Sequence, residues 1–477
     1  MFAENKTLYI KKEVLSRIAK LYFEDRLIEE IEKLPIQMIK KDDPPFRCCI
    51  YKDREIIKYR AIASLGFTLE NEFEIDNTLL SDYAKLALKR EKPTFPILTF
   101  IDEACKACVR TNYFVTNVCK NCVAKPCIMN CPREAISTIN NSANINPEKC
   151  INCGICMKVC PFHAIVYVPV PCEESCPVGA IIKDEKGKEN IDYDKCIFCG
   201  KCVRACPFGA IMEKSQIIDI IKNIKENKKI VAMIAPSIVG QFDVTIKKIA
   251  TGLRKLGFNY VVEVALGADI TAKIEGNEFI ERMEKGDKLM GTSCCPAYTE
   301  SVKKHAKDFK PFVSHAKTPM AYTASLVKER YPDSIRVFIG PCIAKKHEGL
   351  FNEEIDYVLT FEELDALFIA KDIDLKNCEE SELDIKEATK IGRGFPVSTG
   401  VASALKEILK GKNVEIKEVF IDGLTKQNVK LLNSYGKGNC PGNLVEVMSC
   451  EGGCIAGPAV ISKYNVSKKR VEDFLKN

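Results

Sequence analysis

The chain has 477 residues, enough for two to four domains, and its 46% hydrophobic and 29% charged content is that of an ordinary soluble globular protein. Lys and Arg number 71 against 65 Asp and Glu, a formal charge of +6 that is too mild to argue for nucleic acid. The opening MFAENKTLYIKK lacks the apolar core of a signal peptide, and the longest apolar run, 230–240, is far short of a membrane span, so the expected location is the cytoplasm. With no export signal, 25 cysteines spaced mostly two or three residues apart read as metal ligands rather than disulfides.

Residues 1–95 read as a small N-terminal α+β module with no assignable function. Helical periodicity runs from Lys11 to Ile39 and stops before the breaker Asp42-Asp43-Pro44-Pro45, while Cys48 to Phe67 is richer in β-formers. Cys48 and Cys49 lack a partner pair nearby and read as buried free thiols. Pro93 and Pro96 mark the boundary to the next region, 96–215.

There the cysteines dominate. Cys150, Cys153, Cys156 and Cys160-Pro161 form a Cys-x2-Cys-x2-Cys-x3-Cys-Pro run, and Cys196, Cys199, Cys202 and Cys206-Pro207 repeat it. This is the bacterial ferredoxin pattern, in which three cysteines hold one 4Fe-4S cubane and the fourth reaches to its neighbour. Structural zinc normally joins two separated Cys-x-x-Cys knuckles, and a third cysteine two residues on does not fit it. Cys119, Cys122, Cys127 and Cys131-Pro132 form a looser version. By the fourth-cysteine rule one cluster takes Cys119, Cys122, Cys127 and Cys160, and the next takes Cys150, Cys153, Cys156 and Cys131. The remaining Cys105-x-x-Cys108 and Cys172-x3-Cys176 close on the last run. Cys196, Cys199, Cys202 and Cys176 make a third set, and Cys105, Cys108, Cys172 and Cys206 a fourth. All sixteen cysteines from Cys105 to Cys206 are used. The implied architecture is nested, with a two-cluster ferredoxin-like (α+β) module at 115–168 inserted between the halves of another. Ile151, Val159, Phe162, Ile197 and Phe198 are expected to shield the clusters.

Residues 216–477 alternate strands and helices, the pattern of an α/β domain with a largely parallel sheet. Strands are predicted at Lys229–Ala235, Phe258–Ala265, Ile335–Ile339, Tyr357–Leu359 and Leu444–Met448. Thr360-Phe361-Glu362-Glu363 is a capping box opening a helix, and Thr318–Lys328 and Ser398–Lys410 also read as helices, the second stopped by Gly411. Two strands run straight into cysteine motifs, at Cys342 and Cys450. Ligands of open α/β sheets gather at such carboxyl ends. Adjacent cysteines such as Cys294 and Cys295 cannot chelate one metal together, because successive side chains diverge; one can ligate while the other acts differently.

Three segments, in order, resemble the signature segments of the FeFe (iron-only) hydrogenases. They are Thr292-Ser293-Cys294-Cys295-Pro296, then Gly340-Pro341-Cys342-Ile343-Ala344-Lys345-Lys346-His347-Glu348, then Glu446-Val447-Met448-Ser449-Cys450-Glu451-Gly452-Gly453-Cys454. The resemblance covers roughly residues 100–460. It implies an H-cluster: a cubane on Cys295, Cys342, Cys450 and Cys454, joined through Cys454 to a diiron unit carrying CO, cyanide and an azadithiolate bridge. Lys345 would hydrogen-bond one cyanide; Ala235-Pro236-Ser237 would cradle the other, with Met448 also lining the cofactor. Cys294 would relay protons along a path through Glu275, Ser314 and Glu278 to Arg282 at the surface. Glu275 and Glu278 are i, i+3 on a predicted helix and so share a face.

Tyr298 stands where the best-studied subgroup has tryptophan, Gly340 where it has methionine and Met320 where it has glutamine, and the third motif ends Gly457-Pro458. These features resemble the subgroup often called group B. The resemblance implies an anaerobic enzyme interconverting 2H⁺ + 2e⁻ and H₂, fed by a ferredoxin or similar soluble carrier and dependent on maturation proteins for its diiron unit. A hydrogenase-like iron–sulfur assembly protein carrying only cubanes and a low-turnover hydrogen sensor are the alternatives. Cys378 and Cys440 read as structural. The ligand arithmetic, five cubanes and one diiron unit, predicts about 22 irons per fully matured chain; iron analysis near half that value would contradict the sixteen-cysteine pairing.

Overall fold

A computed structural model describes residues 5–69, 77–106, 111–184, 188–385 and 388–476. No helix among them is long and apolar enough to cross a membrane.

The N-terminal region is helical. Helix α1 (Lys6–Phe23) is capped by Asn5, whose side chain accepts from the Thr7 N–H at 2.8 Å, and it buries Val14, Leu15, Ile18 and Ala19. The single helix expected over Lys11–Ile39 is instead broken. Asp25 turns the chain through a positive φ of 60°, and short helical segments then carry it to Met38. The β character expected over Cys48–Phe67 is also absent: Ile50–Ser64 is helix α2. Its β-branched Ile56, Ile57 and Ile62 are buried with Tyr59 and Ala61, so packing overrides local propensity. With α3 (Leu80–Lys89), the described part of 5–92 holds helices and no strand, so among the described residues the expected α+β character is replaced by α.

This region is not set apart from the rest. Leu15 and Ile18 share one hydrophobic core with Leu364 and Leu367. Lys11 bridges all three parts of the chain, its Nζ lying 2.5 Å from Glu213 and 2.6 Å from Glu362. Burial opposes the ammonium charge, but the two carboxylates outweigh it and hold the Lys11 pKa above its usual value.

The cysteine-rich region has eight strands among its described residues: β1 (Leu98–Phe100), β2 (Tyr113–Val115), β3 (Ile136–Ile139), β4 (Ser142–Ile145), β5 (Ile165–Tyr167), β6 (Ile181–Lys183), β7 (Glu189–Ile191) and β8 (Ile211–Glu213). Strand β1 pairs antiparallel with β8, and inside that closure β2 pairs antiparallel with β5. Hairpins β3–β4 and β6–β7 complete the inner and outer units. The two regular cysteine runs enter short helices, Ile155–Val159 and Lys201–Ala205, through left-handed Gly154 and Gly200. Gly200 also meets the α/β region, where an added Cβ would stand 2.5 Å from Ile343. Shielding differs between the runs: Ile197 and Phe198 are buried, whereas Ile151 and Phe162 are exposed. The last run packs on the α/β region, with Lys304 Nζ donating to the Cys196 carbonyl at 2.7 Å; the inner unit keeps apolar surface in solvent.

The α/β region contains two parallel sheets rather than one. The first has the order β10 (Tyr260–Glu263), β9 (Ile230–Ile234), β12 (Ile335–Gly340), β13 (Tyr357–Thr360). The second has β11 (Met290–Gly291), β15 (Leu444–Met448), β14 (Glu418–Asp422). The buried strands are near-continuous apolar runs, as sheets covered on both faces require. Helix α4 (Ala265–Glu284) follows β10 directly, α5 (Pro296–His305) and α6 (Pro319–Arg330) lie between β11 and β12, and α7 (Ala344–Leu350) follows the Cys342 turn. The capping box is present: the Thr360 side chain accepts from Glu363 N–H, and Glu363 accepts from Thr360 N–H, at the start of α8 (Phe361–Ala370). Helix α9 (Gly400–Ile408) falls within the predicted span.

Removing one partner from a buried ionic cluster leaves the others unpaired. Lys11→Met is therefore expected to destabilise the protein by about 3–5 kcal/mol, with partial recovery when Glu213→Gln is added. Urea unfolding of the three proteins checks it.

Candidate metal centre and proton path

Four chain segments leave the carboxyl ends of strands in both sheets and enter one crevice. Ala235-Pro236-Ser237 follows β9, Cys294-Cys295 follows β11, Cys342 follows β12, and Ser449-Cys450 follows β15. Together they line one cavity. Its walls include Cys294, Cys295, Cys342, Cys450, Cys454, Ala235, Pro236, Ser237, Lys345 and Met448, every residue expected at the cofactor itself, among apolar side chains such as Val264, Met320, Phe338 and Phe395. Cys199 of the last ferredoxin-type run lines it too.

The cavity suits a bulky, metal-containing cofactor. Burial pushes the Cys454 thiol up to about 12, with the neighbouring Cys295 adding to the effect. Cys342 and Cys450 are raised too, burial first; Cys295 and Cys454 add to the effect at both, and Cys342 adds to it at Cys450. Four thiolates are unfavourable there without cations between them. The Oγ atoms of Ser237 and Ser449 are buried at the cavity with no hydrogen-bond partner, free to donate to a ligand. Gly453 has a φ of 86°, and a Cβ there would lie 2.5 Å from the Pro396 carbonyl oxygen. Lys345 is buried, and its ammonium pairs with Glu348 at 2.8 Å.

From Cys294 a line of polar groups leads away through α4. Glu275 Oε1 accepts from the Ser293 N–H at 2.7 Å and the Ser293 hydroxyl at 2.8 Å, one residue before Cys294. Its Oε2 is buried without a partner. Burial raises Glu275 to about 7, against the opposing hydrogen bonds from Ser293. Near one turn on, Glu278 Oε2 accepts from the Ser314 hydroxyl at 2.6 Å, and Oε1 accepts from Arg282 Nε at 2.9 Å and Nη2 at 2.7 Å. Burial works against the Glu278 charge, but Ser314 and Arg282 outweigh it and hold the carboxyl below its ordinary range. Arg282, expected at the surface, is buried, because its guanidinium also donates to the carbonyls of Pro311 and Val313 at 3.1 Å. The group that reaches solvent here is His315, whose Nδ1 lies 2.8 Å from Glu278 Oε1.

Among the described residues no three His, Cys, Asp or Glu side chains stand close enough to hold a single metal ion; the cysteines of the ferredoxin-type region instead surround cavities. One is lined by Cys131, Cys150, Cys153 and Cys156, another by Cys119, Cys122, Cys127 and Cys160. Each thus brings three cysteines of one run together with the fourth of the other. Cys176 lies near enough to Cys196, Cys199 and Cys202 to raise their thiols, after burial, which is the larger cause. Of the fourth set, Cys206 is buried in the main core with Cys105 packed against it, and Cys172 is buried in the adjoining core. Cys108 lies outside the described residues. Cys48 and Cys49 are not buried thiols: Cys48 is exposed and Cys49 half-exposed at the start of α2. Cys378 is buried and Cys440 half-buried.

Sequence reasoning missed Cys199 as a wall of the central cavity, Ser449 as a second unpartnered hydroxyl, and His315. Ser449 adjoins Cys450 and His315 adjoins Ser314, so proximity in sequence was the available signal for each.

Cysteine-lined cavities beside an α/β crevice define an iron–sulfur protein. The family model described as iron only hydrogenase large subunit, C-terminal domain, matches residues 228–458, and that of the 4Fe-4S binding domain matches 143–166 and 189–212. Iron hydrogenase 1 of Clostridium pasteurianum is 29% identical over 413 residues, 73% of this chain and 71% of that protein. The cytosolic Fe-S cluster assembly factor narfl of Xenopus tropicalis is 25% identical over 321 residues, 53% of this chain and 67% of its own. A solved FeFe-hydrogenase structure, HydA(deltaEFG), aligns at a TM-score of 0.43 and 23% identity, over 52% of this chain and 84% of that one. The chain is an FeFe-hydrogenase-like protein with 4Fe-4S motifs.

Glu275 provides a test of the buried path in the apoprotein. Its pKa is raised from 4.5 to about 7, so its contribution to stability is full below pH 4.5 and is lost as pH rises through about 7. Glu275→Gln removes that loss. The stability of the variant relative to the parent is expected to increase between pH 4.5 and 8 by on the order of 3 kcal/mol, read from urea midpoints across that range.

Proposed function

We propose that the protein is an FeFe hydrogenase interconverting 2H⁺ + 2e⁻ and H₂. The observation that carries this reading is the convergence of three distant cysteine segments on one cavity, with a buried carboxylate path starting at its wall. Cys295, Cys342, Cys450 and Cys454 would hold the cubane of an H-cluster. Ser237 and Lys345 are the donors available to cyanide ligands, and Ala235, Pro236 and Met448 exclude water around them. When bound, the diiron unit supplies the site at which two protons and two electrons combine, or H₂ is split. The protein's own part is to move protons and keep the cavity dry. Cys294, a wall residue that is not a ligand in this reading, exchanges protons with the cofactor side and passes them toward Glu275, then to Ser314 and Glu278 beside Arg282.

The four accessory sets would hold electron-carrying cubanes. The set Cys196, Cys199, Cys202 and Cys176 stands nearest the reaction site, since Cys199 lines the same cavity. Val123, Met129 and Ile151 of the inner unit are exposed apolar side chains, and a soluble carrier of the ferredoxin kind would dock on this unit. In this reading residues 96–215 are an electron-transfer region, with 115–168 as its inserted module, and 216–477 the catalytic domain of a cytoplasmic enzyme of the group B type, loaded by maturation proteins.

The similarity to an assembly factor favours a second reading, a cubane-only protein of iron–sulfur biogenesis. Such a protein needs neither a buried lysine at the cavity nor a path from Cys294 through Glu275. The two adjacent cysteines separate the readings. In matured protein, Cys294→Ala is expected to keep its cofactor and lower H₂ evolution by ~10²–10⁴-fold, the usual weight of a general acid–base group. Cys295→Ala is expected to lose or rearrange the cofactor. Full H₂ evolution by Cys294→Ala would eliminate the proposed path.

A further inference from the structure

We propose that His315 is the solvent port of the proton path, exchanging protons between bulk water and the Glu278 carboxylate; this rests on the hydrogenase reading. Four groups hydrogen-bond that carboxylate: the Ser314 hydroxyl, the Arg282 guanidinium, and the backbone N–H and ring of His315. Ser314 and Arg282 are buried, so neither meets bulk water to trade a proton with it. The His315 side chain is 85% exposed, and its imidazole offers one nitrogen that donates and one that accepts.

The ring geometry fixes the roles of its two nitrogens. At 2.8 Å from a carboxylate oxygen, Nδ1 must carry the hydrogen and donate it. The 3.2 Å approach of Arg282 Nη2 to the same nitrogen is then a close contact rather than a hydrogen bond. Nε2 is left to water. Inward transfer follows: a proton from water adds to Nε2, and the Nδ1 proton passes to Glu278 Oε1. One proton enters and one leaves, and the ring resets by exchanging its protons with solvent. Outward transfer reverses the order. Glu278, held below the ordinary carboxylate range, passes a proton on rather than storing it. The backbone N–H of His315 also donates to Glu278, at 3.0 Å, so the ring is anchored beside its acceptor.

The test has two readouts. In matured protein at a fixed pH, His315→Ala is expected to slow H₂ evolution toward ~10²-fold, and added imidazole should restore it with saturation. An unchanged rate, or a loss that imidazole does not repair, overturns the port. The chain has only 4 histidines, so histidine-selective ¹⁵N NMR of the apoprotein is tractable, with His315→Gln assigning the signal. The ring is expected as the Nδ1–H tautomer, reverting to Nε2–H in Glu278→Ala; an Nε2–H ring indifferent to Glu278→Ala overturns the proposal. A matured parent chain without H₂ activity removes both readings, whereas an active parent with an indifferent His315→Ala removes only the port.

Discussion

Everything at the centre of this molecule depends on gathering four thiols around one cavity. At Cys342, Cys450 and Cys454, apolar surroundings and mutual repulsion both disfavour the charged form and raise the thiol. A cationic metal cluster relieves that conflict, and the fold supplies the position. Parallel strands end in carbonyl-rich turns at one edge, and here two separate parallel sheets direct those edges into a shared crevice. No single segment makes the site. Cys295, Cys342 and Cys450 come from the ends of β11, β12 and β15, so the cavity exists only when both sheets are formed and packed.

The same dependence links the central cavity to the rest of the chain. Cys199 forms part of the cavity wall although it belongs to the ferredoxin-type cysteine runs, and Gly200 beside it admits Ile343 where any larger residue would clash. Lys11 ties the N-terminal helices to Glu213 and Glu362. An ion cluster of this kind contributes less net stability than its charges suggest, because each group was desolvated to enter it. Its effect is on register: three parts of the chain must meet correctly for any of its charges to be satisfied.

The cysteine runs were legible in the sequence because the spacing of metal ligands is local chemistry, and the exchanged fourth cysteines of the inner pair followed from that pattern. The strands leading into Cys342 and Cys450 were legible as short apolar runs. What escaped depends on long-range packing. Ile56, Ile57 and Ile62 look like strand formers until the core buries them in a helix enclosed on nearly every side. Arg282 looks like a surface arginine until the carbonyls of Pro311 and Val313 enclose it, and that enclosure leaves His315 as the exposed neighbour of Glu278. Two parallel sheets also read in sequence like one, because strand order is not encoded in hydrophobic periodicity.

The central claim is that this crevice holds a diiron unit beside a cubane, and infrared spectroscopy of the anaerobically matured protein tests it most directly. Iron-bound CO and cyanide absorb in a window clear of protein bands. The account predicts both sets of bands, shifting when H₂ is admitted. A protein with its 4Fe-4S clusters fully reconstituted and maturation proteins supplied, yet with no CO or cyanide bands, would contradict it and leave the cubane-only reading in its place.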